Sequence, residues 1–285
     1  MQEILKYFSR EIKEEISKTL ETDRDLTNEI EEIRVRVGRK ILFKLRNRDI
    51  CLEHIVTSEE ILQLLEKICD NSIYAYKNQI SQGYITIKGG HRVGIVGTCI
   101  IEENNIVNMK NITSMNFRIA REVKGASNKI IEQMINEKEN RIYNTLIVSP
   151  PGKGKTTILR DLIRVLSNGL EHKISSKTIG VVDERGELAG AYRGRFENDI
   201  GEKTDVIENV TKEKGINILI RSMAPEIIVC DEIGSQEDIK AIKHAFSSGL
   251  YGIFTMHGRN MEDICKTQGI KEFIDNKVIE KIFFI

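Results

Sequence analysis

The chain has 285 residues and no net charge, because 43 basic residues balance 43 acidic ones. This balance argues against a whole-protein affinity for nucleic acid or for an anionic membrane, and no stretch stays apolar for long enough to span a bilayer. We therefore expect a soluble protein that contacts membranes only through partners. The five cysteines are widely spaced and form no C-x-x-C pair, which is typical of reduced cytosolic thiols rather than of disulfides or a zinc site.

The first part of the chain mixes helical and strand patterns. Apolar residues recur at helical spacing in residues 1–20, which predicts one amphipathic helix there, and a second helix is predicted after a helix-start signal at Thr57. Alternating apolar and polar residues predict two hairpins and one further strand, at residues 30–43, 83–98 and 115–121. Helices mixed with strands that pair as hairpins predict an α+β domain over residues 1–122.

The second part of the chain has a different organisation. Residues 122–127 contain Gly125 and Ser127 and interrupt the earlier patterns, so we place a linker there. Beyond it, helical stretches alternate with short apolar runs at residues 146–148, 178–182, 227–230 and 251–256. This alternation predicts an α/β domain over residues 123–285, with a parallel sheet and crossover helices.

The most informative stretch begins at the first of these apolar runs. A strand pattern at Leu146–Val148 leads through a glycine-containing turn into an amphipathic helix, which is the context that the phosphate-loop motif G-x-x-x-x-G-K-[ST] requires. Lys155 is expected to bind the β- and γ-phosphates of ATP, and Thr156 to bind Mg²⁺. The candidate nucleotide-binding residues are Ser149, Pro150, Pro151, Gly152, Lys153, Gly154, Lys155, Thr156 and Thr157.

One position departs from this motif, because Ser149 stands where the first glycine is expected. Serine takes a positive φ less readily than glycine does. The sequence therefore predicts a slightly strained or shifted loop at this residue.

Carboxylates follow two of the other predicted strands. Asp231 and Glu232 end one run, and we expect that strand to lie beside the phosphate loop with Asp231 in the Mg²⁺ shell. Asp183 and Glu184 end another run in the same way. Glu184 and Glu232 are therefore competing candidates for the group that activates the attacking water. His257 ends a fourth run, where a polar side chain would point at the γ-phosphate and report its presence. A lone histidine is more often a structural residue, so the residues alone leave both roles open.

Arginines also need assignment, because ATP hydrolysis gains strongly from an arginine aimed at the γ-phosphate, often from a neighbouring domain or subunit. Most arginines of any chain are surface ion-pair partners. The candidates are Arg92, Arg118, Arg121, Arg185, Arg193, Arg195 and Arg259.

Taken in this order, the motifs resemble the stage III sporulation protein AA family, ATPases of endospore-forming bacteria that are related to type II and type IV secretion ATPases. The resemblance covers nearly the whole chain and depends on residues 30–36, 89–94, 150–157, 181–187, 204–206, 219–223, 229–234 and 257–258. It implies a RecA-like P-loop NTPase core of AAA type, preceded by the smaller α+β domain.

The resemblance also implies roles for individual residues. Residues 149–156 match Walker A, Asp231 and Glu232 match Walker B, and His257 matches the His box. Glu184 matches the acid of the Asp box, which is the implied water activator. Three arginines stand where the family's N-terminal domain supplies arginines to the nucleotide: Arg92, Arg118 and Arg121.

Finally, the resemblance implies a biological setting. The subunits are expected to form a ring, a hexamer, that hydrolyses ATP with Mg²⁺ and energises a channel between mother cell and forespore. The implied location is the mother-cell cytoplasm, peripheral at the membrane through the membrane proteins of that channel. No nucleic-acid partner is expected.

Two other interpretations stay open. RecA-like cores also serve nucleic-acid-dependent ATPases, although the zero net charge and the absence of tryptophan count against this. The second is a nucleotide-gated assembly scaffold that binds ATP and recruits membrane proteins without appreciable turnover. The presence of both Glu184 and Glu232 counts against a scaffold, because a scaffold needs no water activator.

Overall fold

The computed structural model describes residues 1–23 and 25–285, and over these residues the chain forms two compact units. The first unit comprises Met1–Arg121 together with Tyr192–Glu197, and the second comprises Glu122–Ala191 together with Asn198–Ile285. The first unit contains an antiparallel sheet and the second a parallel sheet. The predicted mixed α/β architecture is therefore confirmed.

The first unit is built on a sheet with strand order β3-β2-β1-β6-β5-β4, and neighbouring strands are antiparallel. One face of this sheet and the helices that cover it share a single hydrophobic core. The elements are α1 Gln2–Leu5, α2 Arg10–Thr22, α3 Leu26–Glu29, β1 Ile30–Arg36, β2 Lys40–Leu45, β3 Asp49–Ile55, α4 Ser58–Ile68, a 3-10 helix Ile73–Tyr76, α5 Lys77–Ser81, β4 Tyr84–Ile87, β5 His91–Glu102 and β6 Asn105–Arg118.

Local sequence explains most of these boundaries. Thr57 and Glu60 form a capping box that begins α4, with the Glu60 amide donating to Thr57 Oγ1 at 3.2 Å. The prediction of one helix over residues 1–20 is wrong, because Ser9 interrupts it and caps the start of α2 by accepting a hydrogen bond from the Ile12 amide. The strand β6 is also longer than predicted, since it continues the hairpin with β5 back to Asn105.

The second unit is built on a sheet with strand order β11-β10-β12-β13-β9-β14, in which neighbouring strands are parallel. Its elements are α6 Ile131–Met134, β7 Ile135–Asn136, β8 Arg141–Ile142, β9 Thr145–Ser149, α7 Lys155–Asn168, β10 Ile179–Asp183, β11 Thr204–Glu208, α8 Lys212–Ser222, β12 Ile227–Cys230, α9 Gln236–Ser247, β13 Tyr251–His257, α10 Met261–Cys265, α11 Gln268–Asp275 and β14 Lys281–Phe284.

Two hydrophobic cores cover the two faces of this parallel sheet. Along β9, Ile147 belongs to one core, while Leu146 and Val148 belong to the other. Side chains of a strand alternate between faces, so a strand covered on both sides is apolar at every position. This explains why the central strands could be located from uninterrupted apolar runs.

The strand order corrects one expectation about the site. β12, which leads into Asp231, does not lie beside the phosphate-loop strand β9, because β13 pairs with both and separates them. Crossover connections join successive parallel strands, so the order of the strands in the sheet is set by packing and cannot be read from their order in the sequence. The polar end of β13 therefore lies between the phosphate loop and the Asp231–Glu232 pair.

Over residues 1–23 and 25–285, none of the helices combines the length and the apolar character that a membrane span requires.

Candidate functional site

The predicted phosphate loop joins the end of β9 to the start of α7. Gly152 and Gly154 have φ values of +75° and +87°, which favour glycine, and a Cβ added at either would meet no atom within 4 Å. Gly154 directly precedes the first residue of α7, so the amides of the first helical turn point toward the loop. Ser149 is the last residue of β9 and has no positive φ, so the predicted strain at this position is absent.

The Lys155 side chain lies inside this loop and is only 4% exposed as a residue. Its Nζ donates to the carbonyl oxygens of Ser149 and Pro150 at 2.9 and 3.2 Å, and approaches His257 Nδ1 at 3.0 Å. Burial lowers the pKa of the Lys155 ammonium, while the charges of Asp231 and Glu232 oppose that shift. The loop therefore holds a desolvated cation whose hydrogen bonds go to neutral acceptors.

Asp231 connects the start of α7 to the neighbouring strand β13. Its Oδ2 accepts a hydrogen bond from Thr156 Oγ1 at 2.7 Å, and its Oδ1 accepts one from Thr255 Oγ1. The Thr255 hydroxyl in turn accepts from the Glu232 amide at 2.8 Å. The structure thus brings the two predicted magnesium ligands, Thr156 and Asp231, into direct contact.

Glu232 and His257 continue this network away from the loop. His257 Nε2 lies 3.2 Å from Glu232 Oε1, and Arg185 Nη1 lies 2.5 Å from Glu232 Oε2. Since the Lys155 ammonium can only donate, Nδ1 of His257 accepts, and Nε2 carries the proton that is donated to Glu232. A continuous chain of contacts therefore runs from Lys155 through His257 and Glu232 to Arg185.

Glu184 lies at the end of β10, one strand beyond β12, and pairs with Lys212 through Oε2. Lys212 is the first residue of α8, and its side chain is 10% exposed while that of Glu184 is 40% exposed. The carboxylate of Glu184 therefore faces solvent on one side and a buried ammonium on the other. Both candidate water activators are ion-paired in this structure.

The three arginines predicted from the first domain all lie in the first unit. Arg92 and Arg118 face each other across β5 and β6, and the Arg92 guanidinium lies 3.5 Å from the centroid of the Tyr84 ring. Arg121 donates to the carbonyl oxygen of Ile30 at 2.6 Å, where β1 begins. Their predicted roles toward a nucleotide stay predictions.

Two residues of this network carried no role in the sequence analysis. Thr255 lies two residues before His257 on β13, and residues at that spacing project to the same face of a strand, so its position was available from the pattern. Nothing in the sequence pattern indicated that Lys212 contacts Glu184, because a lysine at the start of an amphipathic helix is usually a solvated surface residue. Only the packing of α8 against β10 makes it a partner of Glu184.

These residues fit a phosphate chain with a divalent cation. An open glycine loop, a helix N-terminus and a buried ammonium together favour polyanionic oxygens. A hydroxyl and a carboxylate in contact at the edge of that loop are oxygen ligands of the kind that Mg²⁺ prefers. Thr156 and Asp231 would hold the cation, and Lys155 would bind the phosphates.

Comparison with known proteins places this chain in a family. The chain is 36% identical over 253 residues to the stage III sporulation protein AA of Bacillus subtilis (strain 168), which covers 89% of this chain and 81% of that protein. Its fold is similar to that of the Legionella pneumophila ATPase DotB, with a TM-score of 0.59, 16% identity and coverage of 93% of this chain and 73% of that one. The pilus retraction motor PilT, solved with bound ADP, is similar with a TM-score of 0.53, 12% identity and coverage of 84% and 67%.

At these identities the structural likeness concerns the fold, which agrees with the predicted RecA-like core and its preceding α+β part. The sequence evidence is more specific, because the family described as sporulation stage III, protein AA matches residues 2–285. The chain therefore belongs to the stage III sporulation protein AA family, as the resemblance of its motifs predicted.

Proposed function

We propose that this protein is an Mg²⁺-dependent ATPase that works as a ring of identical subunits. The observation that carries the proposal is the contact between Thr156 and Asp231 beside the buried Lys155. A hydroxyl at the helix start, a carboxylate at a neighbouring strand end and a loop lysine are the parts that P-loop enzymes use for nucleotide and metal. The family and the ATPase fold of the similar structures support the same assignment.

In this proposal Lys155 exchanges its contacts with loop carbonyls for contacts with the β- and γ-phosphates. Binding is favoured because a buried ammonium that meets only neutral acceptors gains a counter-charge. Thr156 and Asp231 would hold Mg²⁺, which would supply positive charge to balance the charge that develops on the phosphate oxygens. His257 contacts the same ammonium and thereby responds to the arrival of phosphate.

We assign water activation to Glu184 and a supporting role to Glu232. Both oxygens of Glu232 are engaged, one by His257 and one by Arg185, so this carboxylate fixes the orientation of the histidine. Glu184 pairs through Oε2 and is 40% exposed in its side chain, so water can reach it. Glu184 accepts a proton from the water that attacks the γ-phosphorus, and the bond between that phosphorus and the β–γ bridging oxygen breaks to leave ADP and phosphate.

The first experiment is steady-state ATP hydrolysis across a series of protein concentrations, with Lys155→Ala as the blank. We expect turnover per chain to rise steeply with concentration, because the sites of a ring are completed between subunits. Glu184→Gln should lower kcat by about 10²–10⁴-fold, and Glu232→Gln by less. Turnover by Glu184→Gln that equals the wild type, or wild-type turnover that equals the blank, would refute the assignment.

We propose the biological role on the strength of the family alone. The ring would energise the channel between mother cell and forespore, from the mother-cell cytoplasm and through contact with membrane proteins of that channel. Complementation of a sporulation-deficient strain tests it directly. The Lys155→Ala and Glu184→Gln variants should assemble but fail to restore spores, whereas full rescue by both would favour the scaffold interpretation.

A further inference from the structure

The loop that follows Glu184 is held between two oppositely charged side chains. Asp183 lies on one side and accepts the amides of Glu187, Leu188 and Ala189 at 2.8, 2.9 and 2.9 Å. Arg160 lies on the other side and donates through Nη2 to the Glu187 carbonyl at 2.6 Å and through Nε to the Leu188 carbonyl at 3.0 Å.

Four of these five contacts fall on two consecutive peptide groups. The peptide between Glu187 and Leu188 accepts from Arg160 at its oxygen and donates to Asp183 at its nitrogen, and the peptide between Leu188 and Ala189 does the same. Each peptide dipole therefore points its positive end at the carboxylate and its negative end at the guanidinium. Two aligned peptides bridge a buried carboxylate and a half-buried guanidinium.

Because Asp183 and the loop residues are buried, the contacts that hold the loop depend on both charged side chains. Asp183 is 3% exposed, and Leu188 and Ala189 are fully buried. Burial raises the pKa of the Asp183 carboxyl, and its three amide donors oppose that shift. Burial also lowers the pKa of Arg160, and the charge of Asp183 is the first influence that opposes it. Removing the Arg160 guanidinium would leave the buried Asp183 carboxylate without its opposite charge.

Arg160 also connects this loop to the phosphate loop. It lies on α7, the helix that starts with Lys155 and Thr156, five positions after Lys155. The guanidinium is planar and rigid, and its Nε and Nη2 donors point in different directions. Arg160 can therefore donate to two successive carbonyl oxygens at once. The helix that carries the phosphate-binding residues is thereby joined to the loop that begins at Glu184.

We infer that Arg160 is a positioning residue which, with Asp183 as its counter-charge, fixes the loop carrying Glu184 relative to the phosphate-loop helix. The inference rests on the proposed function for its effect on turnover. We call the hydrogen bonds of Asp183 and Arg160 to residues 187–189 the clamp. The clamp can be tested without measuring turnover. Such a residue affects the rate of the reaction through the placement of Glu184 and leaves nucleotide binding nearly unchanged.

The test compares Arg160→Gln with Arg221→Gln, a control at an exposed arginine in the last turn of α8 of the same unit. Hydrogen exchange of the peptide covering residues 184–191 should speed up at least about tenfold in Arg160→Gln and stay unchanged in the control. In ATP hydrolysis, kcat of Arg160→Gln should fall at least about tenfold, while the Kd for a fluorescent ATP analogue changes by less than about threefold. Arg160→Lys keeps the charge but not the planar fork of donors. Its exchange rate in residues 184–191 and its kcat should lie between those of wild type and Arg160→Gln.

The outcomes separate the inference from the proposed function. Unchanged exchange in residues 184–191 of Arg160→Gln would overturn the clamp, and so would a loss of analogue affinity with kcat retained. If Arg160→Gln does not fold, the same exchange measurement on Arg160→Lys decides, since unaltered exchange there overturns the clamp as well. If the wild-type protein does not hydrolyse ATP, the proposed function fails while the exchange result still stands for or against the clamp.

Discussion

Asp161 offers a sharp test of how the phosphate-loop helix is anchored. This carboxylate lies on α7, is 3% exposed, and accepts hydrogen bonds from the Ser127 amide at 2.9 Å and the Ser127 hydroxyl at 2.6 Å. It also accepts from the Gly125 amide at 3.1 Å and from Arg164 Nη2 at 2.7 Å. Asp161→Ala removes the acceptor and leaves both donors of Ser127 buried and unpaired.

The expected cost follows from those two donors. Each buried group left without a partner costs about 1–3 kcal/mol, and alanine returns about 0.5 kcal/mol through its higher helix propensity, so we expect a loss of about 3 kcal/mol. With a urea m-value of about 2 kcal/mol/M, the unfolding midpoint of the second unit should fall by about 1.5 M. Burial raises the pKa of Asp161, but the hydrogen bonds from Ser127 outweigh it and the pKa lies below its ordinary value. The stabilisation is therefore present above the unfolded pKa, and wild type and variant should converge as the pH falls below about 4.

Two buried cysteines provide the assay. Cys230 is fully buried in the second unit and Cys69 in the first, so thiol labelling in urea, read by mass spectrometry, reports each unit separately. The other cysteines are first replaced by serine: Cys51, Cys99 and Cys265. The control is Asp275→Ala, which removes an exposed carboxylate paired with Lys271 and should cost less than about 1 kcal/mol. A Cys230 midpoint that moves no further in Asp161→Ala than in this control would refute the reasoning.

The remaining predictions concern the first unit and the phosphate loop. Burial lowers the pKa of His91 to about 4. The free energy of unfolding of the first unit should therefore fall by about 3 kcal/mol as the pH drops from the unfolded pKa of about 6.5 to 4. His91→Gln should remove this pH dependence in the Cys69 labelling assay. Thr57→Ala removes the capping box of α4 and should destabilise the first unit by about 1 kcal/mol in the same assay, whereas equal midpoints would contradict it. Ser149→Gly should change the KM for ATP by less than about threefold, because the backbone there is extended and Lys155 keeps its carbonyl contact; a larger change would show that the Ser149 hydroxyl itself matters.

Local patterns predicted the residues of the candidate site but not the partners that these residues contact. The Lys155–Thr156 pair was recognisable because a strand, a glycine turn and a helix occur in one short stretch. Asp231, Glu232 and Glu184 were recognisable because each follows an apolar run. Their hydrogen-bond and ion-pair partners lie far away in the sequence.

Two details of the fold could not be predicted from local sequence patterns either. The break between α1 and α2 depends on a single cap at Ser9, which the helical spacing of the apolar residues conceals. The strand β11 has every residue partly exposed at the edge of the sheet, so it lacks the apolar run that marked the central strands. An edge strand buries less surface, and its sequence is correspondingly less constrained.

The sequence by itself determined the strand–glycine turn–helix pattern of a predicted phosphate loop, the carboxylates at strand ends and a mixed α/β fold, because those features depend on short stretches with a fixed period. Only the tertiary structure decided that β13 separates β9 from β12, and that Lys155 and Glu232 meet through His257. It also decided that Arg160 and Asp183 hold two peptides between them. Contacts of this kind join residues from different elements, and they are fixed by how parallel strands and crossover helices pack rather than by any local pattern.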